Sequence, residues 1–364
     1  MAPLDWGLGH AARCVPIIRE LIKNDAVPVI AAGGQPLSFL QKEFPGIESV
    51  HLEGYNISYP ESTGNMVFTM AFQLPKIAAK IKEEKMHLEN IIKEKKINGV
   101  ISDQRFGLSS EKVPCVFITH QTMIKAPLFE NLLYKINKSF IDKFTYCWIP
   151  DNKDSENLSG DLSHQFPLPL NAKFIGPLSR FENNNQSSLV NETEKNATRE
   201  TPAQIFKYEV MGIISGPEPQ RSIFENIIMV ELKNSGLNSV VVKGQANMDE
   251  HYHDGKIEIH SHLETNQMEE KIHSSRIVLA RSGYSTLMDL AKLKKKAILI
   301  PTPGQTEQEY LAGFHFKKNH FFSVTQKNFS MELALKAAEN FTGISFNFSG
   351  PSLNQTIMEF INLC

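Results

Sequence analysis

The sequence is poor in cysteine and has no long apolar run, and both features narrow the class of protein. Its four cysteines, Cys14, Cys115, Cys147 and Cys364, lack the paired spacing of a disulfide framework or a zinc site. We therefore expect buried or incidental thiols in a reducing compartment. No uninterrupted apolar stretch is long enough to span a bilayer, and no signal peptide is recognised. These features predict a cytoplasmic protein.

An excess of charge of one sign is also lacking. The 38 lysines and arginines are balanced by 40 aspartates and glutamates, so the charge gives no reason to expect nucleic acid as a partner. Hydrophobic residues make up 41% of the chain and charged residues 21%, which is typical of a soluble globular protein. A chain of 364 residues is too long for one ordinary core and suits two domains.

The pattern of the sequence is that of two successive β/α domains. Short β-rich runs such as VPVIAA, INGVISD and VPCVFITH alternate with helical stretches up to residue 181. Residues 182–205 are polar and nearly free of large apolar side chains, which predicts a linker. The alternation then resumes in VMGIIS, SVVVKG, KIEIH and RIVLA. We expect two domains with parallel sheets, each binding its ligand at the carboxyl ends of its strands.

The segment DWGLGHAARC, residues 5–14, predicts a tight turn that leads into a helix near Ala11. Gly7 and Gly9 permit positive φ and let a ligand approach the backbone, and the helix start offers free N–H groups. The dinucleotide motif G-x-G-x-x-G does not fit, because Ala12 takes the place of the third glycine. The turn predicts an anionic or polar ligand, with a plain strand-to-helix turn as the alternative. The first strand is either very short or begins further upstream, and we favour the latter.

Polar side chains at the ends of three strands are expected to meet in one cleft. His10 lies at the tip of the first turn, and an imidazole takes up or releases a proton near neutral pH. The run GVISD ends at Asp103 with Arg105 just beyond it, and VFITH ends at His120 with Gln121 next. Carboxyl ends of parallel strands share one edge of a sheet, so we expect these groups to converge. His10 and then Asp103 are the candidate general bases; the alternative for Asp103 is that it caps a loop.

Two stretches of the second domain carry candidate phosphate ligands. In GIISGPEPQRS a strand ends at Ser215 and Gly216, and Arg221 stands where a helix begins. A later strand is followed by a loop and a first helical turn whose hydroxyls and free N–H groups would hold a diphosphate: Arg281, Ser282, Gly283, Ser285 and Thr286. Asp289, about a turn and a half further on, suits two ribose hydroxyls, because a carboxylate accepts two hydrogen bonds side by side.

Residues 281–312, RSGYSTLMDLAKLKKKAILIPTPGQTEQEYLA, resemble the nucleotide-sugar signature of family 28 glycosyltransferases. The stretch DWGLGHAARCVPI is similar to the glycine-rich acceptor-side loop of the same family. The resemblance implies the α/β GT-B fold, in which two Rossmann-like domains with doubly wound parallel sheets face each other across a cleft. It also implies inverting sugar transfer without a bound metal or cofactor, in which a UDP-sugar such as UDP-GlcNAc is a substrate. In agreement, no Asp-x-Asp motif occurs in the sequence.

Matched residue by residue, the resemblance places Ser282, Gly283 and Thr286 on the diphosphate. Arg221 matches a basic residue of the earlier phosphate loop, which is longer here than in the usual form. Asp289 stands where the family has a ribose-binding glutamate, which is one methylene longer but chemically equivalent.

The part of the signature that contacts the donor sugar departs from the family. Gln308 and Glu309 match a Gln-Gln pair, and Leu311 and Ala312 occupy the place of an expected asparagine. The donor sugar therefore stays open. The edge that cradles uracil aligns with two residues after KIEIH, namely His262 and Leu263.

The predicted boundaries are an acceptor-side domain at 1–181, a linker at 182–205, a nucleotide-sugar domain at 206–348 and a helix at 349–364. The resemblance implies that this last helix packs back towards the first domain. It also implies a glycan or lipid-linked acceptor, and with it peripheral contact at the inner face of the membrane. Residues 65–85 would supply an apolar and basic surface for such an acceptor, and an ordinary amphipathic helix is the alternative.

Three other functions stay open. GLGHAARC is also similar to the GxGHxxRC stretch of UDP-sugar hydrolases, in which the histidine activates water. A UDP-sugar epimerase of related fold is a weaker alternative. The third is a sugar-nucleotide binder without catalysis, which Glu309 and the missing asparagine would favour.

Overall fold

A computed structural model describes residues 1–55, 66–125, 129–181, 206–344 and 350–364, without the side chains of 66–75. The first part of the chain forms a parallel five-stranded sheet of order β1-β4-β5-β6-β7: β1 (Ala2–Pro3), β4 (Val100–Asp103), β5 (Cys115–Ile118), β6 (Tyr146–Ile149) and β7 (Ala172–Phe174). Beside β1 lies a parallel pair, β2 (Ile30–Ala32) and β3 (Ser49–His51). The helices of this part are α1 (Leu8–Lys23), α2 (Gly34–Glu43), α3 (Met66–Lys95), α4 (Glu130–Ile141) and α5 (Asp161–His164).

The second part forms a seven-stranded sheet of order β10-β11-β9-β8-β12-β13-β14. Its strands are β8 (Tyr208–Ile213), β9 (Ser239–Val242), β10 (His251–Asp254), β11 (Ile257–His260), β12 (Ser275–Ala280), β13 (Ala297–Leu299) and β14 (Phe322–Ser323). All neighbours are parallel except the hairpin β10–β11. The helices are α6 (Gln220–Ser235), α7 (Thr265–His273), α8 (Tyr284–Lys292), α9 (Thr306–Lys317), α10 (Met331–Ala338) and α11 (Leu353–Ile361).

The central strands are buried on both faces, which explains their continuous apolar runs. All four residues of β9, for example, are buried, as expected for a parallel strand covered by helices on each side. The predicted fold class, two α/β domains with parallel sheets, is confirmed. The strand expected before the first turn is Ala2–Pro3, which pairs in parallel with Ser102 and Asp103.

The last helix returns to the first domain. Helix α11 packs on α1, and the Asn354 side-chain amide donates a hydrogen bond to Glu20. Ile357 and Phe360 are buried, and the Phe360 ring meets Trp148 edge-on at 5.9 Å between centroids. The predicted linker, 182–205, lies outside the described residues, as do 345–349.

The cysteines and the long helix bear on two sequence predictions. All four cysteines are free thiols, and only Cys364 is exposed. Of the predicted acceptor surface at 65–85, the side chains up to residue 75 lie outside the description, and Ile77 and Ile81 are half-buried. Further along the same helix, Leu88 and Ile92 are buried on the first sheet. Among the described helices, none is both long and apolar enough to cross a membrane.

Candidate active site

A cavity of about 440 Å³ lies between the two domains. On the second domain it meets the ends of β8 and β12, where the order of the strands reverses; in such sheets this is where ligands bind. The sequence-predicted residues that line it are Gly7, Gly9, Ser215, Gly216, Arg221, His262, Leu263, Ser285, Thr286 and Asp289. The volume is that of a small-molecule site.

The glycine turn lies directly against the start of α8. Gly7 has φ of +86°, which favours glycine. The Ser285 hydroxyl donates a hydrogen bond of 2.8 Å to the Gly9 carbonyl, and a Cβ on Gly9 would lie only 3.2 Å from that hydroxyl oxygen. The helix begins at Leu8, earlier than predicted, so His10 belongs to its first turn rather than to a loop tip.

Polar atoms in the cavity wall are left for a ligand. Buried atoms Asp5 Oδ1 and His262 Nε2 have no hydrogen-bond partner among the described residues. Burial and the nearby Arg180 lower the pKa of His262 to about 4, so its imidazole is neutral at physiological pH. Its ring packs edge-on against Phe39 at 5.5 Å between centroids. A neutral ring with an unpaired nitrogen suits a polar, uncharged ring such as a nucleobase.

Asp289 faces the cavity with two partners from the end of the first domain. The Ser179 hydroxyl donates to its Oδ1 at 2.7 Å, and Arg180 Nε lies 3.9 Å from its Oδ2. Burial raises the pKa of this carboxyl to about 6, although Arg180 opposes the shift. The carboxylate form therefore dominates at neutral pH and is lost on mild acidification.

His10 does not line this cavity but faces a cluster of ionisable groups on the other side of α1. We call this set, His10, Arg13, Asp103, His120 and Glu307, the Arg13 cluster. The Arg13 guanidinium binds both oxygens of Asp103, with Nε 2.6 Å from Oδ2, and lies 3.1 Å from His120 Nδ1 and 2.8 Å from His10 Nδ1. His120 Nε2 lies 2.8 Å from Glu307 Oε1, which comes from the second domain.

The Arg13 contacts favour one tautomer of each histidine. Because a guanidinium only donates hydrogen bonds, these contacts make Nδ1 of His120 and of His10 an acceptor and place the proton of each neutral ring on Nε2. In His120 this proton is donated to Glu307. In His10 it makes Nε2 a hydrogen-bond donor. Proton uptake at His10 Nε2 requires instead that Nδ1 donate to Asp103 Oδ2, which lies 3.3 Å away.

Asp103 is withdrawn from the cleft, which contradicts its role as a candidate base. Its side chain is 0% exposed and both of its oxygens are bound by Arg13. Burial alone would raise the pKa of Asp103, but the adjacent Arg13 guanidinium opposes this, and the pKa is lowered to about 2. A carboxylate this acidic and this enclosed cannot take a proton from an acceptor hydroxyl.

Of two further acceptor-side candidates, Arg105 does not face the cleft as predicted, and Gln121 does not line the cavity. Arg105 is fully buried, pairs with Glu84 at 2.7 Å and donates to the carbonyl of Leu52. It therefore holds the first domain together. Gln121 follows His120 and is half-buried; its backbone N–H donates to the Thr119 hydroxyl.

Several residues predicted to bind the donor form contacts within the protein instead. Arg281 is buried and donates to the carbonyls of Ile300 and Pro301, and Ser282 is buried and donates to the carbonyl of Gln308. Gly283 is the N-cap of α8. These three residues shape the loop and do not line the cavity, whereas Ser285 and Thr286 in the first turn of α8 do.

The predicted sugar and phosphate ligands Gln308, Glu309 and Arg221 are also engaged. The side chains of Gln308 and Glu309 accept hydrogen bonds from the backbone of Thr302 and Gly304, both at 2.8 Å, and so brace the loop before α9. Arg221 lines the cavity but is paired with Glu218 and Glu225. Its charge is already neutralised, so a phosphate would have to displace a carboxylate.

Sequence reasoning did not place Arg13 or Glu307 together with His10. Arg13 lies three residues after His10, a spacing that puts two side chains on one face of a helix and could have identified it. Glu307 is separated from His120 by 187 residues along the chain, and only the packing of the two domains shows that they pair.

Residues 231–338 match the model of the glycosyltransferase family 28 C-terminal domain. The matched range spans α8 and the loop before α9, where the sequence resemblance was noted. Comparison with curated proteins yields no match.

Solved structures extend the likeness to the whole chain. The glycosyltransferase SnogD from Streptomyces nogalater superposes with a TM-score of 0.56 at 10% identity, covering 100% of this chain and 97% of that one. UDP-GlcNAc 2-epimerase from Neisseria meningitidis gives 0.56 at 14% identity, covering 98% and 97%. MurG of Acinetobacter baumannii gives 0.50 at 12%, covering 99% and 91%. At such identities the likeness establishes the GT-B fold, and the family 28 domain supports a glycosyltransferase.

Proposed function

We propose that the protein is an inverting, metal-independent glycosyltransferase that moves a sugar from a UDP-sugar such as UDP-GlcNAc to a glycan or lipid-linked acceptor at the inner face of the membrane. The main support is the cavity, in which the first turn of α8, with Ser285, Thr286 and Asp289, lies against the glycine turn next to His10.

In this arrangement the second domain would bind the nucleotide, and the first domain would contribute His10 to the reacting centre. The first N–H groups of a helix have no intrahelical partner, so the start of α8 offers donors and a partial positive charge to a diphosphate. Asp289 follows on α8, where it could accept hydrogen bonds from a ribose, and His262 also lines the cavity. His10 lies on α1 beside this cavity, where the sugar and the acceptor would meet. With Asp103 withdrawn, His10 and Glu307 are the titratable groups of the Arg13 cluster that keep some exposure.

UDP is expected to stabilise the protein, and Asp289→Ala is expected to remove most of this effect. A ligand that binds only the folded state at a hundred times its Kd stabilises it by about 2.7 kcal/mol. Loss of the carboxylate removes the ribose contact, so the rise in Tm on adding UDP should largely disappear. Thermal unfolding with and without UDP measures this. The matched control is Asp142→Ala, an exposed carboxylate paired with Lys138, which should respond like the wild type.

Acidification gives a second check on the same carboxylate. Because the pKa of Asp289 is raised to about 6, UDP affinity should fall as the pH is lowered through this value, and less so in the alanine variant.

EDTA should leave the rise in Tm on adding UDP unchanged, since the proposed reaction needs no metal. A wild-type Tm that is unmoved by millimolar UDP, UDP-GlcNAc and UDP-galactose would refute the donor assignment.

An exposed apolar face on α4 supports a lipid-linked acceptor. Phe129, Leu132 and Ile136 are exposed and spaced to share one side of the helix, and Lys135 is exposed beside them. Apolar side chains flanked by lysine are typical of surfaces that contact anionic membranes.

We expect the double variant Leu132→Glu/Ile136→Glu to bind vesicles of anionic phospholipid at least about tenfold more weakly than the wild type. The substitutions replace apolar contacts with charges that the lipid repels. Vesicle co-sedimentation measures the bound fraction. Val27→Glu, at an exposed apolar residue away from α4, is the control and should bind normally. Equal binding by the double variant would exclude this face as the membrane contact.

Products distinguish transfer from the related reactions. Incubation of a UDP-sugar with a lipid extract should yield a glycosylated product that mass spectrometry detects. Release of UDP and free sugar without an acceptor would indicate the hydrolase, a new UDP-sugar isomer the epimerase, and binding without turnover the non-catalytic binder.

A further inference from the structure

The edge hairpin of the second domain places three histidines and a glutamate on one face. Strands β10 and β11 are joined by a two-residue turn in which Gly255 has φ of +62°. The register pairs His251 with His260 and His253 with Glu258. Since side chains alternate along a strand, residues two apart share a face, and all four of these do.

Three of these side chains converge on a single point. Glu258 Oε1 lies 2.8 Å from His260 Nε2 and 3.4 Å from His251 Nε2. The two imidazole rings stack at 4.2 Å between centroids, with 6° between their planes. One ligand atom from each residue falls within 4.8 Å of the others. The His251 side chain is 56% exposed, whereas those of Glu258 and His260 are only 10% and 12% exposed.

We propose that His251, Glu258 and His260 bind a divalent transition-metal ion of the zinc class, with water in the fourth position. Two imidazole nitrogens and one carboxylate oxygen are a donor set that zinc accepts in tetrahedral geometry. The metal replaces the histidine contacts to Glu258, and the exposed His251 turns out of its stack on His260 so that both Nε2 atoms face the ion. None of the three residues lines the inter-domain cavity, so the site is separate from the donor site and from the metal-independent reaction proposed for it.

Two ammonium groups face the site and limit its affinity. Lys271 Nζ lies 2.7 Å from Glu258 Oε1 and 3.1 Å from the Tyr208 hydroxyl, and Lys207 Nζ lies 4.0 Å from Glu258 Oε2. When the metal takes Oε1, Lys271 keeps its contact with Tyr208. Because both lysines repel a cation, we expect a micromolar rather than a nanomolar dissociation constant.

Titration calorimetry of the tag-free full-length protein with zinc chloride at about pH 7.5, where histidine is neutral, tests the proposal. We expect one zinc ion per chain, and at least about tenfold weaker binding by each of His251→Ala and His260→Ala. The control is His273→Ala, an equally exposed histidine on α7, which should bind as the wild type does. Absence of zinc binding by the wild type, or wild-type affinity in both hairpin variants, would overturn the proposal.

Cobalt gives an independent readout of the geometry. The protein loaded with Co²⁺ should show the visible d–d absorption of a tetrahedral site, and His260→Ala should lose it. The UDP-dependent rise in Tm should be the same in His251→Ala and the wild type. This comparison confirms that the variant is folded and keeps failure of the metal site distinct from failure of the donor site.

Discussion

Replacing His10 by alanine is expected to lower turnover by about a hundredfold or more while leaving UDP affinity nearly unchanged. Loss of a positioned acid, base or hydrogen-bond donor at a reacting centre has an effect of this size. In the proposed function the nucleotide is bound by α8 and the segment around His262, which line the cavity, so binding should survive. Steady-state kinetics with a UDP-sugar, combined with calorimetry of UDP, measures both quantities. Near-normal turnover in this variant would exclude His10 from the reacting centre.

His10→Gln distinguishes the two roles that the structure allows for this histidine. Sequence reasoning predicts a general base, and a side-chain amide, which takes no proton at neutral pH, would then be as inactive as alanine. The contact of 2.8 Å from Arg13 to Nδ1 favours Nε2 as a donor instead. The amide nitrogen of glutamine reaches the position of Nε2, whereas that of asparagine overlays Nδ1. We therefore expect glutamine, but not asparagine, to recover about tenfold over alanine, the worth of one hydrogen bond. A glutamine variant no more active than alanine would restore the base role.

Asp103→Asn is expected to lower the free energy of unfolding by about 3–5 kcal/mol, because it leaves the Arg13 guanidinium buried without a counter-charge. Chemical denaturation measures the change. The matched control is Asp142→Asn, which breaks an exposed pair with Lys138 and should cost less than about 1 kcal/mol. A similarly small effect of both substitutions would show that the buried pair contributes little.

The pH dependence of stability provides a further check on Asp103. Its pKa is lowered to about 2 in the folded protein, below the value of an unfolded aspartate. The folded state therefore prefers the charged form, and this contribution is present at neutral pH and is lost as the pH falls from about 5 towards 2. The asparagine variant should lack this part of the acid destabilisation.

The elements that the sequence predicted well are those specified by neighbouring residues. The alternation of buried strands and helices was confirmed, and the segment from Ser282 to Asp289 was placed at a strand end and helix start, as found. The Gly7–Gly9 turn lies at the cleft as expected. Apolar periodicity and glycine conformations act over a few residues, so they can be read from the chain alone.

The roles of individual polar side chains depended on contacts between distant segments. Asp103 and Arg105 stand at a strand end like other candidates, yet each is buried against an opposite charge, Arg13 or Glu84. His251, Glu258 and His260 all lie within the segment HYHDGKIEIH. Which of these residues face each other depends on the register in which β10 pairs with β11.

The sequence by itself determined the two α/β domains, the glycine turn before His10 and the helix start near Tyr284, because local hydrophobic periodicity and turn chemistry specify them. Only the tertiary structure decided which ionisable groups stay accessible. Burial and ion pairing depend on which surfaces meet across the two domains, and here this packing buries Asp103 against Arg13 and brings Glu307 to His120.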